Sequence, residues 1–518
     1  MEIIDRLYQK AIDCLYERID LASLHSYYME FSDDYQGTDN KFNHELIQKF
    51  SVILDACEGT EWYYYFSSFL IYITGSNDLA QVFLKKCSND PLVSMDYKYF
   101  IWLHFYVLGF VGILPKETPT QNLLDDLYNI TIKEFEKECN DGYRFIPKSE
   151  RNQDLIIVMI RQVLYMEHGP TKTLLDRSYI LSKYMNKKVF IINTAEGTLE
   201  RTTIPIFGMA KMNYAEEYNE RDYIQYKDCV FPFYQCPKYM PQANVVHEIL
   251  DVVANEKPLC IISIGTGSVV ADLCSKIVPT IAISLCPSER AQTYGQFQAV
   301  GYHVTEDDYR WAQKHGKTKD HFIESVFTSA FKEQEHTYSR ADLGLPQDGF
   351  IVVLVGGRLD YEVDDACLNL LIKLMEHGLY VAFMGVFDRF DSLYGKIPLF
   401  KKYAINLGFQ NDALAVLECV DLYLNPKRVG GGTSVAEALY KSVPVVTMNY
   451  GDGGLGAGED FWVTDYDEMC DIAIQYSEDS LFYEEKQKQA SSRAAVLMDS
   501  EGQFAQIIQT AMEREGFD

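Results

Sequence analysis

With 518 residues, 47% of them hydrophobic, the chain is too long for one core, and domains of about 100–200 residues each suggest three units. Its 75 acidic against 47 basic residues leave a net charge of -28, which excludes nucleic-acid or anionic-lipid binding in the absence of a concentrated basic patch, and the sequence has none. Twelve scattered cysteines offer neither zinc-ligand spacing nor a dense disulfide framework, as expected of a protein of the reducing cytoplasm.

Over residues 1–153 the runs LYQKAIDCLYERI, HELIQKFSVILDAC, DLAQVFLKKC and NLLDDLYNITIKEFEKEC place apolar residues three and four apart, which predicts an all-helical domain. The first of them mixes acids with apolar residues and lacks the basic start and apolar run of a signal peptide. Trp62 to Thr74 and Tyr99 to Leu114 are apolar and aromatic but fall short of the ~20 residues of a membrane span, so they are expected to be buried helices. This tyrosine-rich region carries no phosphate-binding turn. Its expected partners are the acceptor or another subunit, and membrane contact beyond the peripheral is not expected.

From about Asp154 short β-branched runs alternate with helical segments, which predicts a parallel sheet covered by helices over 154–345. Strands are expected at Lys188 to Asn193, Leu259 to Ile264 and Thr280 to Ser284, and helices near Thr171 to Tyr184, Ser268 to Lys276 and Ser288 to Val300. The polar stretch Glu306 to Gln347 reads as the interdomain connection.

A second α/β unit, 346–518, begins with the strand Phe350 to Val355 and runs through a helix near Asp365 to Glu376 and a strand Leu379 to Met384. A helix near Ala413 to Cys419, a strand Asp421 to Leu424 and a helical tail from Ser480 to Arg514 complete it. Two such units in tandem create a cleft between their strand carboxyl ends, where ligands bind. Asn425 to Met448, NPKRVGGGTSVAEALYKSVPVVTM, is a strand end, a glycine-rich turn, a helix and a strand. Gly430, Gly431 and Gly432 let the backbone approach a ligand, and the helix start beyond them offers unpaired N–H groups to a diphosphate. Arg428 can add a charge-assisted fork, and Thr433 and Ser434 further donors. A competing reading takes Ser434 and Glu437 as an S-x-x-E capping box.

This segment resembles the nucleotide-binding signature of GT-B glycosyltransferases, in which a glycine turn holds the diphosphate and a glutamate of the next helix, here Glu437, grips the ribose hydroxyls. VLVGGRLDYE (Val353 to Glu362) is similar to the first strand and loop of that domain, with Arg358 at a phosphate position. LGFQND (Leu407 to Asp412) resembles the loop that receives the base, with Phe409 and Gln410. The resemblance spans Gly349 to Asp460. It implies two facing Rossmann-like domains and transfer of a hexose from UDP-glucose or UDP-N-acetylglucosamine to a protein or glycan acceptor, with no cofactor beyond the donor and no metal. Two departures stand out: Val429 occupies the place of a second glutamate common in retaining members, and Val363 that of a lysine. The longer pattern also resembles the inverting group that contains O-linked N-acetylglucosamine transferases and the cytoplasmic adhesin N-glycosyltransferases, the latter with a helical domain in front.

Within that resemblance, His168 stands where an inverting enzyme could point a base at the acceptor, with Asp176 and Glu289 as alternatives. The strand–turn–helix SIGTGSVVADL places Gly265, Thr266, Gly267 and Ser268 on the opposite wall, toward the acceptor or the sugar. It is not a dinucleotide fingerprint, because Val270 holds the third glycine position. The chain has no G-x-x-x-x-G-K-[ST], H-E-x-x-H or G-x-S-x-G. Rival readings are a nucleotide-sugar epimerase, a non-catalytic GT-B partner or chaperone, and an interaction protein working through the helical domain.

Overall fold

The computed structural model describes residues 2–35, 39–139, 142–166, 168–198, 204–326, 328 and 333–515. Its N-terminal region is helical: α1 (Glu2–Leu15), α2 (Leu21–Asp34), α3 (Asn40–Ala56), α4 (Glu61–Thr74), α5 (Asn77–Asn89), α6 (Met95–Phe110) and α7 (Thr118–Cys139). α4 and α6 are apolar on nearly every side, the pattern of helices surrounded by protein, and α6 buries every residue from Tyr97 to Phe105. Among the described residues no helix is long and apolar enough to cross a membrane. What covers α6 is the sheet that follows: Tyr99, Trp102 and Leu103 share one core with Ile157, Met159 and Ile261. In the other direction Phe207 enters the helical region, where its ring meets Tyr28, Tyr65 and Phe69 and its N–H donates to Ser68 Oγ at 2.8 Å.

The first α/β unit runs β1 (Asn152–Ile160), α8 (Gly169–Lys183), β2 (Lys188–Asn193), β3 (Tyr223–Tyr226), β4 (Cys229–Gln235), α9 (Ala243–Glu256), β5 (Pro258–Ile264), α10 (Val269–Cys274), β6 (Thr280–Ile283), β7 (Phe297–Val300), α11 (Glu306–Lys314) and β8 (Phe322–Glu324). Its sheet order is β3-β4-β2-β1-β5-β6-β7-β8, parallel except for β3 against β4. The second unit contributes β9 (Ile351–Gly356), β10 (Tyr380–Gly385), β11 (Ala404–Gly408), β12 (Leu422–Asn425), β13 (Val445–Met448) and β14 (Trp462–Val463), all parallel, in the order β11-β10-β9-β12-β13-β14. The central strands β5 and β9 are near-continuous buried runs of Ile, Val and Leu, as strands covered on both faces must be. In each sheet the order reverses beside the first strand, between β1 and β5 and between β9 and β12. The loops leaving those strand pairs diverge and open a crevice at their carboxyl ends.

Three expectations need correction. Ser288 to Val300 is not a helix: its end is β7, whose residues are all buried between β6 and β8, so sheet pairing overrides the local helical spacing. Glu306 to Gln347 is not all connection, since α11 and β8 complete the first sheet, and the shorter link beyond is pinned to the second unit by Arg340, whose NH2 reaches both Asp421 carboxylate oxygens at 2.8 Å. The tail also divides. The helix Ser480–Leu497 packs its Ala490, Ala494 and Leu497 on the second unit, whereas the helix Ser500–Arg514 returns to the first. There Phe504, Ile507 and Ile508 cover the sheet face beside Leu174 and Leu175 of α8, and the Arg514 guanidinium donates to the carbonyls of Asp320 and Phe322 at 2.7 and 2.6 Å. The unit that begins near residue 346 therefore gives its last helix away, because the α8 face of the first sheet has no other cover there.

Candidate functional site

The reversal between β9 and β12 brings two loops side by side. The first, after β9, carries Arg358. The second, after β12, carries Arg428 and the glycine turn, and Arg358 NH2 would stand 3.6 Å from a Cβ placed on Gly430. Gly431 has φ +95°, and a Cβ there would lie 2.6 Å from Arg428 Nε, so only glycine fits the turn. The helix Gly432–Tyr440 that follows has Gly431 at its N-cap and no side-chain cap. Its first N–H groups, on Gly432, Thr433 and Ser434, thus lack the capping partner that helix starts usually have, and the positive end of the helix dipole lies beside Arg358.

The two arginines, equivalent in the sequence reading, part company here. Arg428 is buried, with all three guanidinium nitrogens engaged: Nε donates to Asn425 Oδ1 at 2.9 Å, NH1 to Glu362 Oε2 at 2.6 Å and NH2 to the Tyr423 hydroxyl at 2.8 Å. These bonds brace the floor of the turn. Arg358 keeps 37% of its side chain exposed, makes one 3.3 Å contact with Glu362 Oε1 and holds its Cζ over the Phe110 ring of α6, 4.8 Å from the centroid. Glu362, at the end of the same quoted motif, carries both cations and was not singled out from sequence.

The capping box does not form. Ser434 is the third residue of the helix rather than its cap, its hydroxyl engages Tyr423, and Glu437 stands in mid-helix. Released from that role, the Glu437 carboxyl has no hydrogen bond among the described residues, and burial pushes it up to about 7, with Lys172 of α8 pulling the other way. His168 is the N-cap residue of α8, part-buried, with Nδ1 3.1 Å from Thr171 Oγ1 and its basicity lowered by burial. Asp176 is not a cleft group: it is buried against Arg177, 3.1 Å away, which in turn holds Thr328. Glu289 lies on the first-unit wall and is paired with Lys116.

Phe409, 69% exposed just beyond β11, is a ring free to stack, whereas the Gln410 amide turns back to the Leu407 carbonyl at 2.5 Å.

The turn after β5 is more enclosed. Gly267, φ +65°, lies under α6, where a Cβ would come within 1.9 Å of the Trp102 ring. Ser268 caps α10 and donates to Glu196 Oε2 at 2.6 Å, and Glu196 Oε1 takes the Val270 N–H at 3.2 Å. A Cβ on Gly265 would meet Leu285 at an ordinary 3.7 Å. Thr266 borders a cavity, its Oγ1 accepting from the Gln292 N–H at 2.7 Å.

The two units touch through Asp452, another residue unread from sequence. Its Oδ1 accepts from the Ser288 N–H at 3.0 Å and the Ser288 hydroxyl at 2.6 Å, and burial raises it to about 6. Its backbone N–H donates to Val429 O at 2.6 Å, so the cross-cleft bond is anchored directly on the glycine turn. Among the described residues no group of His, Cys, Asp and Glu gathers as a metal site.

No family model and no curated protein matches the chain. Solved structures do. A mutant O-GlcNAc transferase of Thermobaculum terrenum is 12% identical and superposes with a TM-score of 0.50 over 95% of this chain and 97% of its own. A glycosyltransferase of Rickettsia africae is 9% identical over 71% of this chain and 100% of its own, with a TM-score of 0.48. Anabaena HepE, solved with UDP and glucose, is 14% identical over 71% and 100%, with a TM-score of 0.43. The superposition on the first of these, together with the two sheet orders, assigns the architecture: a GT-B fold of two facing Rossmann-like units preceded by a helical region.

Proposed function

We propose that the chain is a glycosyltransferase that moves a hexose from a UDP-sugar, UDP-glucose or UDP-N-acetylglucosamine, to a protein or glycan acceptor. The observation that carries this reading is the uncapped helix start at Gly432, set at a strand-order reversal beside a half-exposed arginine. Backbone N–H groups, a helix dipole and one cation converge on a single point there, which suits a diphosphate.

In this reading the diphosphate lies on Gly430 to Gly432, with Arg358 and the N–H groups of Thr433 and Ser434 meeting the charge that grows as the bond from anomeric carbon to phosphate oxygen breaks. Arg428 acts at one remove by holding Glu362 and the turn. Glu437 accepts from the ribose hydroxyls, and Phe409 stacks on the base. His168 Nε2 takes the proton from the acceptor hydroxyl or amide as that group bonds to the anomeric carbon, and UDP leaves with the electron pair of the broken bond. Fixed donors of this kind can stabilise the leaving group without a metal ion. The GT-B likeness supports the two-walled cleft that such a reaction needs.

Calorimetry of the full chain with UDP, followed by UDP release from UDP-glucose and UDP-N-acetylglucosamine, tests the reading. Binding that Arg358→Ala weakens is the expected result. Absence of UDP binding to the folded protein sinks it.

A further inference from the structure

Beside the donor turn a cavity of about 390 Å³ lies between α6, the start of α7 and the loops after β5 and β6, within the ~300–1,000 Å³ range of small-ligand sites. Ser288, the partner of Asp452, stands on its wall, and so does Gly109, next to the Phe110 that underlies Arg358. The cavity is thus adjacent to the place where a donor sugar would sit. Four of its five charged residues are paired, Lys116 with Glu289 and Arg290 with Asp308 at 2.8 Å, while the fifth, Asp125, accepts from Trp311 Nε1 at 3.1 Å. An anion would meet that surplus carboxylate, whereas hydroxyl groups can donate to it and use the lone pairs and N–H groups the pairs leave over. Between the charges stand the rings of Trp102, Tyr106 and Tyr302, apolar faces of the kind a pyranose can lie on.

Gln292 belongs to this wall, and its Nε2 is buried with no hydrogen-bond partner among the described residues, a polar atom that an arriving acceptor would satisfy. None of the wall residues belongs to a β-strand, so there is no sheet edge on which an extended peptide could add a strand.

We propose that this cavity is the acceptor subsite and that it receives a neutral saccharide, an oxygen of which accepts from Gln292. The helical region then serves as one wall of the acceptor site. The proposal rests on the donor reading above for its place in a reaction, but its ligand can be tested separately.

The experiment is saturation-transfer NMR and calorimetry on the full chain with UDP present, using cellobiose, lactose and chitobiose as probes and a ten-residue peptide containing Ser, Thr and Asn as the alternative. Two variants on opposite walls accompany the parent. Gln292→Leu removes an amide nitrogen with no partner among the described residues, and Gly109→Leu fills the cavity from α6, where the atoms nearest a Cβ are Lys116 carbons at 3.6 Å and the Leu114 carbonyl at 3.9 Å, ordinary contacts. We expect at least one disaccharide to bind and each variant to weaken it tenfold or more, with UDP affinity unchanged within twofold. The proposal is overturned if no saccharide binds, if binding ignores both variants, or if the peptide binds in their place with the same sensitivity. Saccharide binding that obeys the variants in a protein that fails to bind UDP refutes the donor reading and leaves the saccharide site standing.

Discussion

Two glycine turns follow strands at the reversal points of the two sheets, and in sequence they look alike: Gly265-Thr266-Gly267 before α10 and Gly430-Gly431-Gly432 before the helix Gly432–Tyr440. Each contains a glycine at positive φ that no other residue could replace at low cost. They differ in what stands over the helix start. At α10 the Glu196 carboxylate receives Val270 N–H and the Ser268 hydroxyl, so an internal anion fills the place of a ligand while Trp102 closes the turn from above. At the second turn no side chain caps the helix, and beside it the Arg358 side chain stays 37% exposed. A strand–glycine–helix segment is therefore an anion site only when the protein does not supply the anion itself.

The sharpest way to break the comparison is to add a methyl group to each turn. Gly267→Ala puts Cβ into a buried indole at a left-handed φ, and overpacking together with the backbone penalty should cost about 3 kcal/mol or more of stability, seen in chemical denaturation. The folded fraction should still bind UDP like the parent. Gly431→Ala displaces Arg428 and should remove UDP binding itself. Equal loss of UDP affinity in both variants would contradict the assignment of only one turn to the donor.

The two arginines offer the next test. Arg428→Ala leaves Glu362 without its short ion pair in a buried place, which should destabilise the protein by about 3–5 kcal/mol. Arg358→Ala should leave the melting temperature nearly unchanged and weaken UDP by about 1.5–3 kcal/mol, the worth of one charge-assisted contact. The reverse pattern would exchange their roles.

Glu437 separates the turns by pH. Its carboxyl is raised to about 7 in the folded chain, so the folded state holds its proton more tightly than the unfolded one. Stability from this group is fully present below the ordinary glutamate range and declines as pH rises toward 7. Ribose hydroxyls favour the ionised form, so affinity for UDP-glucose, which has no phosphate titrating nearby, should fall by up to tenfold per unit as pH drops below 7. Glu437→Gln should flatten that slope and weaken binding above pH 7. A slope that persists in the variant assigns the titration to another group.

The smallest effect is also the most direct comparison. Ser268 is a true cap bonded to Glu196, and Ser268→Ala should cost about 1–2 kcal/mol. Ser434 caps nothing, and Ser434→Ala should cost no more than its one hydrogen bond to Tyr423, about 1 kcal/mol or less in chemical denaturation of the unliganded protein.

Much of the second unit was readable because its signals are local. Period-two and period-3.6 runs mark elements wherever they occur, and the Gly430 turn, Arg358 and the exposed Phe409 lie where short motifs put them. Glu362 and Asp452 were within reach, one at the end of a quoted motif and the other in the glycine-rich run after β13. Without coordinates, though, nothing tells a carboxylate that holds two arginines or reaches a serine of the other unit from one that faces water.

By itself the sequence determined the two parallel sheets, the helical region before them and the strand–glycine turn–helix at Gly430 to Gly432, since each follows from residues close along the chain. The tertiary structure alone decided which glycine turn stays open, which arginine is free, and that the last helix belongs to the first unit. Those outcomes depend on residues remote in sequence competing for one volume or one hydrogen bond, such as Tyr99 and Gly267, 168 positions apart, or Arg151 and Glu515, 364 apart. Steric exclusion and the pairing of buried polar groups act only at contact, so no local pattern records their result.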